Sequence, residues 1–214
     1  MKNLIIIFTI LLLASCSKKE RTINITGKVY DPALQKAVTG ATVVLKAAKV
    51  ESGVYNPSYV EIASAATGNS GEYSFEVNVE KVSGYRFVVS KDNYFGEEVD
   101  VTTDDMEKND SYSADFEIYP KAKIHLTVKN TQPQGMDDEI KYRYKNIESK
   151  CKTCCNNTTV TGTGPTYSSD TECDVRGEKW IYISWVVTKK GNQHIYEDSI
   201  RTEAFKTSNY NISY

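Results

Sequence analysis

Apolar and polar residues alternate along most of this chain, with the period of two that is typical of half-buried β-strands. The clearest run follows Gly71, where one face carries Tyr73, Phe75, Val77 and Val79. Further runs cover residues 23–29, 40–45, 59–67, 85–89, 98–102, 112–119, 122–128, 140–144, 180–188 and 210–214. Fifteen tyrosines against three methionines, with many Thr and Val, also favour strands. The pattern therefore predicts an all-β protein without helices of any length.

The predicted strands fall into two groups that meet at Tyr119-Pro120-Lys121. Proline at a strand junction is typical of a boundary, and the alternation resumes at Ala122. Seven short strands before this point suggest a β-sandwich, and those after it suggest a second antiparallel sandwich. We therefore expect two domains in tandem, 22–119 and 120–214, that contact each other because their connection is short. The turn at 68–71 is expected to join two antiparallel strands.

The first sixteen residues do not follow the strand pattern. An apolar run begins at Leu4 and ends in Leu13-Ala14-Ser15-Cys16, which has the form of the lipobox of a bacterial lipoprotein. A membrane-spanning helix needs about 20 apolar residues, and this run is too short. We expect residues 1–15 to be a signal peptide, Cys16 to be lipidated, and residues 16–21 to form the lipid anchor and tether. An ordinary secretory peptide with a chance cysteine is the alternative.

The residue after the anchor bears on where the protein is held. In lipoproteins of this kind Asp at that position would retain the protein at the inner membrane, whereas this chain has Ser17. The expected localisation is therefore the outer membrane, facing the periplasm or the outside. The expected partners are the membrane, through the lipid anchor, and an envelope protein or polysaccharide. A formal net charge of −2 without a block of Lys or Arg argues against binding nucleic acid.

Four segments of the first group of strands carry a family resemblance: TGKVYD at 26–31, GATVVL at 40–45, ATGNSGEYSF at 66–75 and YRFVVSKDNY at 85–94. Together they resemble the carboxypeptidase regulatory-like domain over residues 22–119. The resemblance implies a transthyretin-type β-sandwich. It also implies a non-catalytic accessory module, of the kind common at the start of outer-membrane receptors and in surface lipoproteins.

Four cysteines remain after the anchor, in a polar region of the second domain that is expected to be a loop: Cys151, Cys154, Cys155 and Cys173. An envelope protein is in a compartment that permits disulfides. A bond between the neighbours Cys154 and Cys155 would strain their peptide. Two pairings therefore stay open: 151–154 with 155–173, or 151–155 with 154–173. One alternative is a four-thiolate zinc site, which Cys173 fits poorly because it has no second cysteine at the usual spacing. The other alternative is a redox dithiol.

The residue types that catalysis requires are sparse. His125 and His194 are the only histidines, and each lies in or beside a predicted strand, where a surface or packing role is expected. The Gly-x-Ser-x-Gly motif of a serine nucleophile is absent from the sequence. We therefore expect no enzyme activity, no metal and no cofactor.

Aromatic residues in the second group of strands are the candidate ligand contacts. Trp180 and Tyr182 would point outward from a strand whose other face, with Ile183 and Trp185, would belong to the core. Flat aromatic rings on a sheet can stack on sugar rings, and Tyr142 and Tyr144 could extend such a platform. The alternative is that Trp180 and Tyr182 pack against the first domain or a loop.

The sequence thus predicts two antiparallel β-sandwich domains in tandem after a lipoprotein signal peptide. The predicted function is that of a non-catalytic, lipid-anchored envelope protein that acts as a binding or assembly accessory module. The alternative function is that of a glycan-binding surface lipoprotein.

Overall fold

The structure is a computed structural model that describes residues 21–51, 54–147 and 151–214. The predicted signal peptide, the lipidated Cys16 and most of the tether lie outside the described residues. In the described part of the chain, no helix combines the length and the hydrophobicity that crossing a bilayer requires.

Strands dominate the N-terminal half, which we define as residues 22–118. Its elements are β1 (Thr22–Asp31), β2 (Lys36–Ala37), β3 (Thr42–Glu51), β4 (Val54–Ala66), β5 (Glu72–Asn78), β6 (Val82–Ser90), β7 (Tyr94–Phe95), β8 (Glu97–Val101), the single-turn helix α1 (Thr103–Met106), β9 (Ser111–Ser113) and β10 (Phe116–Glu117).

The C-terminal half, residues 119–214, is also built of strands. They are β11 (Tyr119–Lys129), β12 (Glu139–Lys145), β13 (Val160–Thr163), β14 (Ser168–Arg176), β15 (Trp180–Lys189), β16 (Asn192–Arg201) and β17 (Thr207–Ser213). The all-β sandwich class expected from the sequence is therefore confirmed.

Two sheets enclose a core in the N-terminal half. β1 is central in one sheet, where it pairs with β2, β5, β9 and β10, and the other sheet has the order β4-β3-β6-β8. Alternation buries Ile23 and Ile25 of β1 fully, together with Leu45 of β3 and Phe87 of β6. The pairs of β1 with β9 and with β10 are parallel, unlike the antiparallel pairing expected throughout.

The turn at 68–71 does not make the expected hairpin. The preceding β4 pairs with β3, whereas the following β5 pairs with β1 in the other sheet. The chain thus crosses between sheets at this turn, which is closed by the Gly71 N–H donating to the Gly68 carbonyl at 3.0 Å. Turn residues indicate that the chain reverses, but they do not determine which strand the following strand pairs with.

The C-terminal half also contains two facing sheets, with the orders β14-β11-β17 and β13-β12-β15-β16. β11 and β17 pair in parallel, and the other pairs are antiparallel. β14 lies in a region expected to be a loop, but it pairs with β11 over nine residues, from Lys121↔Arg176 to Lys129↔Ser168. Its sequence, SSDTECDVR, has few apolar side chains, so the ladder of backbone hydrogen bonds rather than a hydrophobic face defines it.

The two halves meet where β11 begins. Its first residues, Tyr119 and Pro120, pair with β7 of the N-terminal half, and the Lys121 N–H donates to the Asn93 carbonyl at 2.8 Å. The ring of Phe205 packs edge-on against Tyr94, with centroids 5.4 Å apart. Backbone pairing and ring packing therefore both join the two halves at this junction.

Candidate functional site

The four cysteines form two disulfides, Cys151–Cys154 and Cys155–Cys173. This is one of the two pairings that the sequence left open. Cys173 lies on β14, so the second bond ties the segment before β13 to the sheet that contains β11. In this form no sulfur is a thiolate that could bind zinc.

Tyr142 and Tyr144 are core residues, which corrects the prediction that they extend a surface platform. The period of β12 turns both rings inward, where they are buried. The Tyr142 hydroxyl donates to Ser169 Oγ at 3.2 Å, and burial raises the pKa of Tyr142 to about 12. Both rings line the floor of a partly open pocket of about 230 Å³ next to Cys155 and Cys173.

Trp180 and Tyr182 lie on the outer face of β15, as the alternation predicts. They are 52% and 40% exposed, so the part of the chain that the structure describes leaves both rings accessible to solvent. The shallow groove on this face, of about 350 Å³, runs elsewhere and is lined by Lys141, Arg143, Val186, Ile195 and Glu197 among others. Trp180 and Tyr182 are not among the residues that line this groove.

The inner face of the same sheet carries an aromatic pair at its open edge. Trp185 of β15 stands opposite Tyr196 of β16, and their rings stack with centroids 5.5 Å apart and an interplanar angle of 17°. β16 is one of the two edge strands of the sheet, and Tyr196 is 45% exposed. Trp185, expected in the core, is only partly buried because it lies where the core ends.

This pair forms one wall of a cleft of about 550 Å³, which we call the aromatic cleft. Its aromatic lining consists of Trp185, Tyr196 and Tyr214, and its polar lining consists of Gln132, Gln134, Lys189, Asn192, His194 and Ser213. The cleft thus combines flat apolar surfaces with amide, imidazole and hydroxyl groups that can donate and accept hydrogen bonds.

Neighbouring contacts hold the walls of the aromatic cleft in place. The ring of Tyr210 packs edge-on against Trp185 at 6.3 Å, and its hydroxyl donates to Asp198 Oδ2 at 2.6 Å. Burial raises the pKa of Tyr214 to about 12, so its hydroxyl stays protonated at neutral pH. The Lys189 ammonium lies 5.0 Å from the centre of the Tyr214 ring. These contacts fix the positions of the Trp185 and Tyr214 rings.

The pair of Trp185 and Tyr196 was not predicted from the sequence, although the sequence contains a signal for it. Lys189 and Asn192 pair across a turn of two residues, Lys190 and Gly191, which fixes the register of β15 and β16. Counting back from that turn places Trp185 opposite Tyr196. What the count could not show is that the facing sheet ends at β17, which leaves this end of the pair open.

The N-terminal half has a larger opening of about 600 Å³, lined by β1, β5 and β9. Its walls include the Lys28–Glu72 ion pair, with 3.0 Å between nitrogen and oxygen, and the buried Tyr73, whose hydroxyl donates to the Ala114 carbonyl at 2.6 Å. Tyr73 stacks on Phe75 and Phe116, but neither partner is among the residues that line the opening, so it offers no exposed pair of rings like that of the aromatic cleft. Over the residues that the structure describes, no group of three or more His, Cys, Asp or Glu is placed to hold a metal ion.

No protein-family model matches this chain, and no curated protein matches it. The resemblance to the carboxypeptidase regulatory-like domain therefore stays a prediction.

Among solved structures, similarity is found to 3-chlorocatechol 1,2-dioxygenase from Rhodococcus opacus 1CP (11% identity, TM-score 0.35, covering 47% of this chain and 61% of that one). Similarity is also found to the Bacillus anthracis TIE protein (9% identity, TM-score 0.37, covering 90% of this chain and 34% of that one). A third similar structure is the shaft pilin SpaA from Lactobacillus rhamnosus GG (8% identity, TM-score 0.35, covering 90% of this chain and 97% of that one). The chain spans less than two thirds of the length of the dioxygenase and of the TIE protein. Likeness at this level carries no argument about function.

Proposed function

We propose that this protein is a non-catalytic binding module of the bacterial envelope, and that the aromatic cleft binds a carbohydrate chain. The observation that carries the proposal is the stacked pair Trp185 and Tyr196 on the wall of a cleft with polar groups around it. Sugar rings present flat C–H faces that pack on aromatic rings, and their hydroxyls need both donors and acceptors. Gln134, Asn192 and His194 supply these at the cleft.

Uncharged polysaccharide suits the cleft better than a strongly anionic or cationic ligand. Lys189 is the one Lys or Arg among its lining residues, and its ammonium already interacts with Tyr214 and with Asn130 Oδ1 at 3.1 Å. Asp and Glu are not among the lining residues of the cleft. Specificity would therefore come from shape and hydrogen bonding rather than from charge.

The lipobox ending at Cys16 supports an anchored form of this module. A cysteine in that motif carries a diacylglycerol thioether and usually a third acyl chain. One acyl chain alone gives only marginal membrane binding, whereas two or three hold a protein stably. We place the anchor in the outer membrane, because Ser17 rather than Asp follows Cys16.

Binding by a soluble form that begins at Ser17 tests the cleft. Against a panel of neutral polysaccharides, we expect Tyr196→Ala to weaken affinity by roughly tenfold or more, about 1.4 kcal/mol, because half of the stacked platform is lost. Tyr182→Ala is the matched control. It removes the same side chain at similar exposure, 40% against 45%, from the opposite face of the sheet.

Tyr182→Ala should leave the affinity unchanged. Equal losses in the two variants, or a wild-type protein that binds none of the polysaccharides, would contradict the proposed function. Isothermal titration calorimetry gives the affinities, and circular dichroism checks that each variant is folded.

A further inference from the structure

Three polar side chains are buried together at one end of the C-terminal half. They are Asn130, which directly follows β11, Asp138, which directly precedes β12, and Lys189, the last residue of β15. Asn130 is 6% exposed, Asp138 is 0% exposed, and the Lys189 side chain is 12% exposed. Burying a lysine and an aspartate is costly unless the two are closely paired.

The three side chains are in direct contact. Lys189 Nζ donates to Asn130 Oδ1 at 3.1 Å, and Asn130 Nδ2 donates to Asp138 Oδ2 at 2.8 Å. The ammonium nitrogen lies 4.0 Å from Asp138 Oδ2. A further bond from Asn130 Nδ2 to the Gly164 carbonyl, at 3.2 Å, fixes the plane of the carboxamide. An amine, an amide carbon and a carboxylate thus form one ordered group.

A purely structural role explains part of this arrangement. Asp138 Oδ2 also accepts the Gln134 N–H at 2.9 Å, which would hold the loop between β11 and β12. Lys189 adds to that role, because its Nζ donates to the Gln132 carbonyl of the same loop at 2.5 Å. Asp138 Oδ1 nevertheless stays buried without a hydrogen-bond partner among the described residues. Formation of an amide bond requires an amine nucleophile, a carboxamide and a group that carries protons. Lys189, Asn130 and Asp138 supply these three groups.

We propose that Lys189 and Asn130 become joined by an intramolecular amide bond, with Asp138 as the proton carrier. Asp138 takes one proton from the Lys189 ammonium, and the neutral Nζ attacks Asn130 Cγ. The Nζ–Cγ bond forms and the Cγ–Nδ2 bond breaks. The second Nζ proton and the proton on Asp138 pass to Nδ2, which leaves as ammonium, so that Asp138 is again a carboxylate. No oxidant or other reactant is consumed.

Burial and hydrogen bonding act in opposite directions on the first proton transfer. The hydrogen bonds that Asp138 accepts from the Gln134 N–H and from Asn130 lower its pKa and favour the carboxylate, whereas burial favours a neutral acid beside a neutral amine. The Gln132 carbonyl accepts from Lys189 Nζ at 2.5 Å and holds the nitrogen beside the carboxamide. Reacting groups fixed in contact avoid most of the entropy cost that the same reaction has between free molecules.

The bond would connect the two sheets of the C-terminal half. Asn130 directly follows β11 of one sheet, and Lys189 ends β15 of the other. The disulfide Cys155–Cys173 lies elsewhere in this half, so the amide would be an independent covalent link. It would fix the end of the sandwich at which the aromatic cleft opens.

Peptide mapping of the full chain, purified from cells, reduced and digested with trypsin, tests the proposal. Trypsin cannot cleave after a lysine whose side chain is an amide. We therefore expect peptides 130–141 and 180–190 to appear as one linked species, lighter by one ammonia than their sum. Fragmentation should place the link between Asn130 and Lys189.

Two variants and one control decide the roles of the residues. Lys189→Arg keeps the charge but should abolish the linked species, and Asp138→Asn should reduce it at least roughly tenfold because the proton carrier is lost. Lys190→Arg, at the adjacent lysine, should leave it unchanged. Complete recovery of separate, unmodified 130–141 and Lys189 peptides from the folded wild type would overturn the proposal. An unchanged yield in Asp138→Asn would overturn the role of Asp138. Neither readout depends on carbohydrate binding.

Discussion

His125 lies on the outer face of β11 between two hydrogen-bonding oxygens. Its Nε2 is 2.5 Å from Asp170 Oδ1, and its Nδ1 is 3.0 Å from Asn209 Oδ1. The doubly protonated ring satisfies both contacts, and the hydrogen bond to Asp170 is the main cause of a raised pKa for His125. The surface role expected for this histidine agrees with its position.

A pH titration of the His125 ring by NMR should therefore show a pKa above the usual value of about 6.5. Because the folded-state pKa is raised, the stabilisation is fully present below the unfolded pKa, and it is lost as the pH rises through the folded pKa. Asp170→Asn should bring the midpoint down. Glu172→Gln, which removes a weaker charge interaction, should lower it less. The explanation fails if the two variants change the midpoint equally.

At the scale of elements, β14 shows why a polar strand is hard to predict from the sequence. Only Cys173 and Val175 give it an inward apolar character, and it is held by β11 on one side and by the disulfide to Cys155. Both supports come from residues distant in sequence. By contrast, β5 and β12 could be predicted, because each carries its own alternating apolar face.

The two disulfides should contribute unequally to stability. Cys155 and Cys173 are 18 residues apart, whereas Cys151 and Cys154 are three apart. Closing the longer loop restricts the unfolded chain more, by about 3 kcal/mol against about 2 kcal/mol. The Cys155→Ala/Cys173→Ala variant should therefore lose more free energy of unfolding in urea than Cys151→Ala/Cys154→Ala. Equal losses would show that loop closure does not set the contribution.

At the scale of the whole molecule, the junction between the halves and the tether decide where the aromatic cleft can reach. β11 pairs with strands of both halves, and Phe205 packs on Tyr94 across the junction. Only residues 16–21 separate the proposed lipid from β1. Six residues span at most about 20 Å when extended, so the N-terminal half would stay close to the membrane surface.

Membrane fractionation of cells tests this placement. We expect Cys16→Ser to remove the protein from the membrane fraction, because the serine cannot carry the thioether-linked lipid. Ser17→Asp should leave it in membranes but move it from the outer to the inner membrane. Persistence of Cys16→Ser in the membrane fraction would contradict a lipid anchor, whatever the outcome of the binding experiments.

The sequence by itself determined the all-β class, the inward faces of β1, β5 and β15, and a short list of disulfide pairings, because these depend on local period and spacing. The tertiary structure decided which strands are neighbours, that Tyr142 and Tyr144 are buried, and that Trp185 meets Tyr196 at an open edge. It also decided that Asn130, Asp138 and Lys189 share one buried site. The reason is physical: a period of two assigns a side chain to a face, but only the facing sheet determines whether that face is covered or open to solvent.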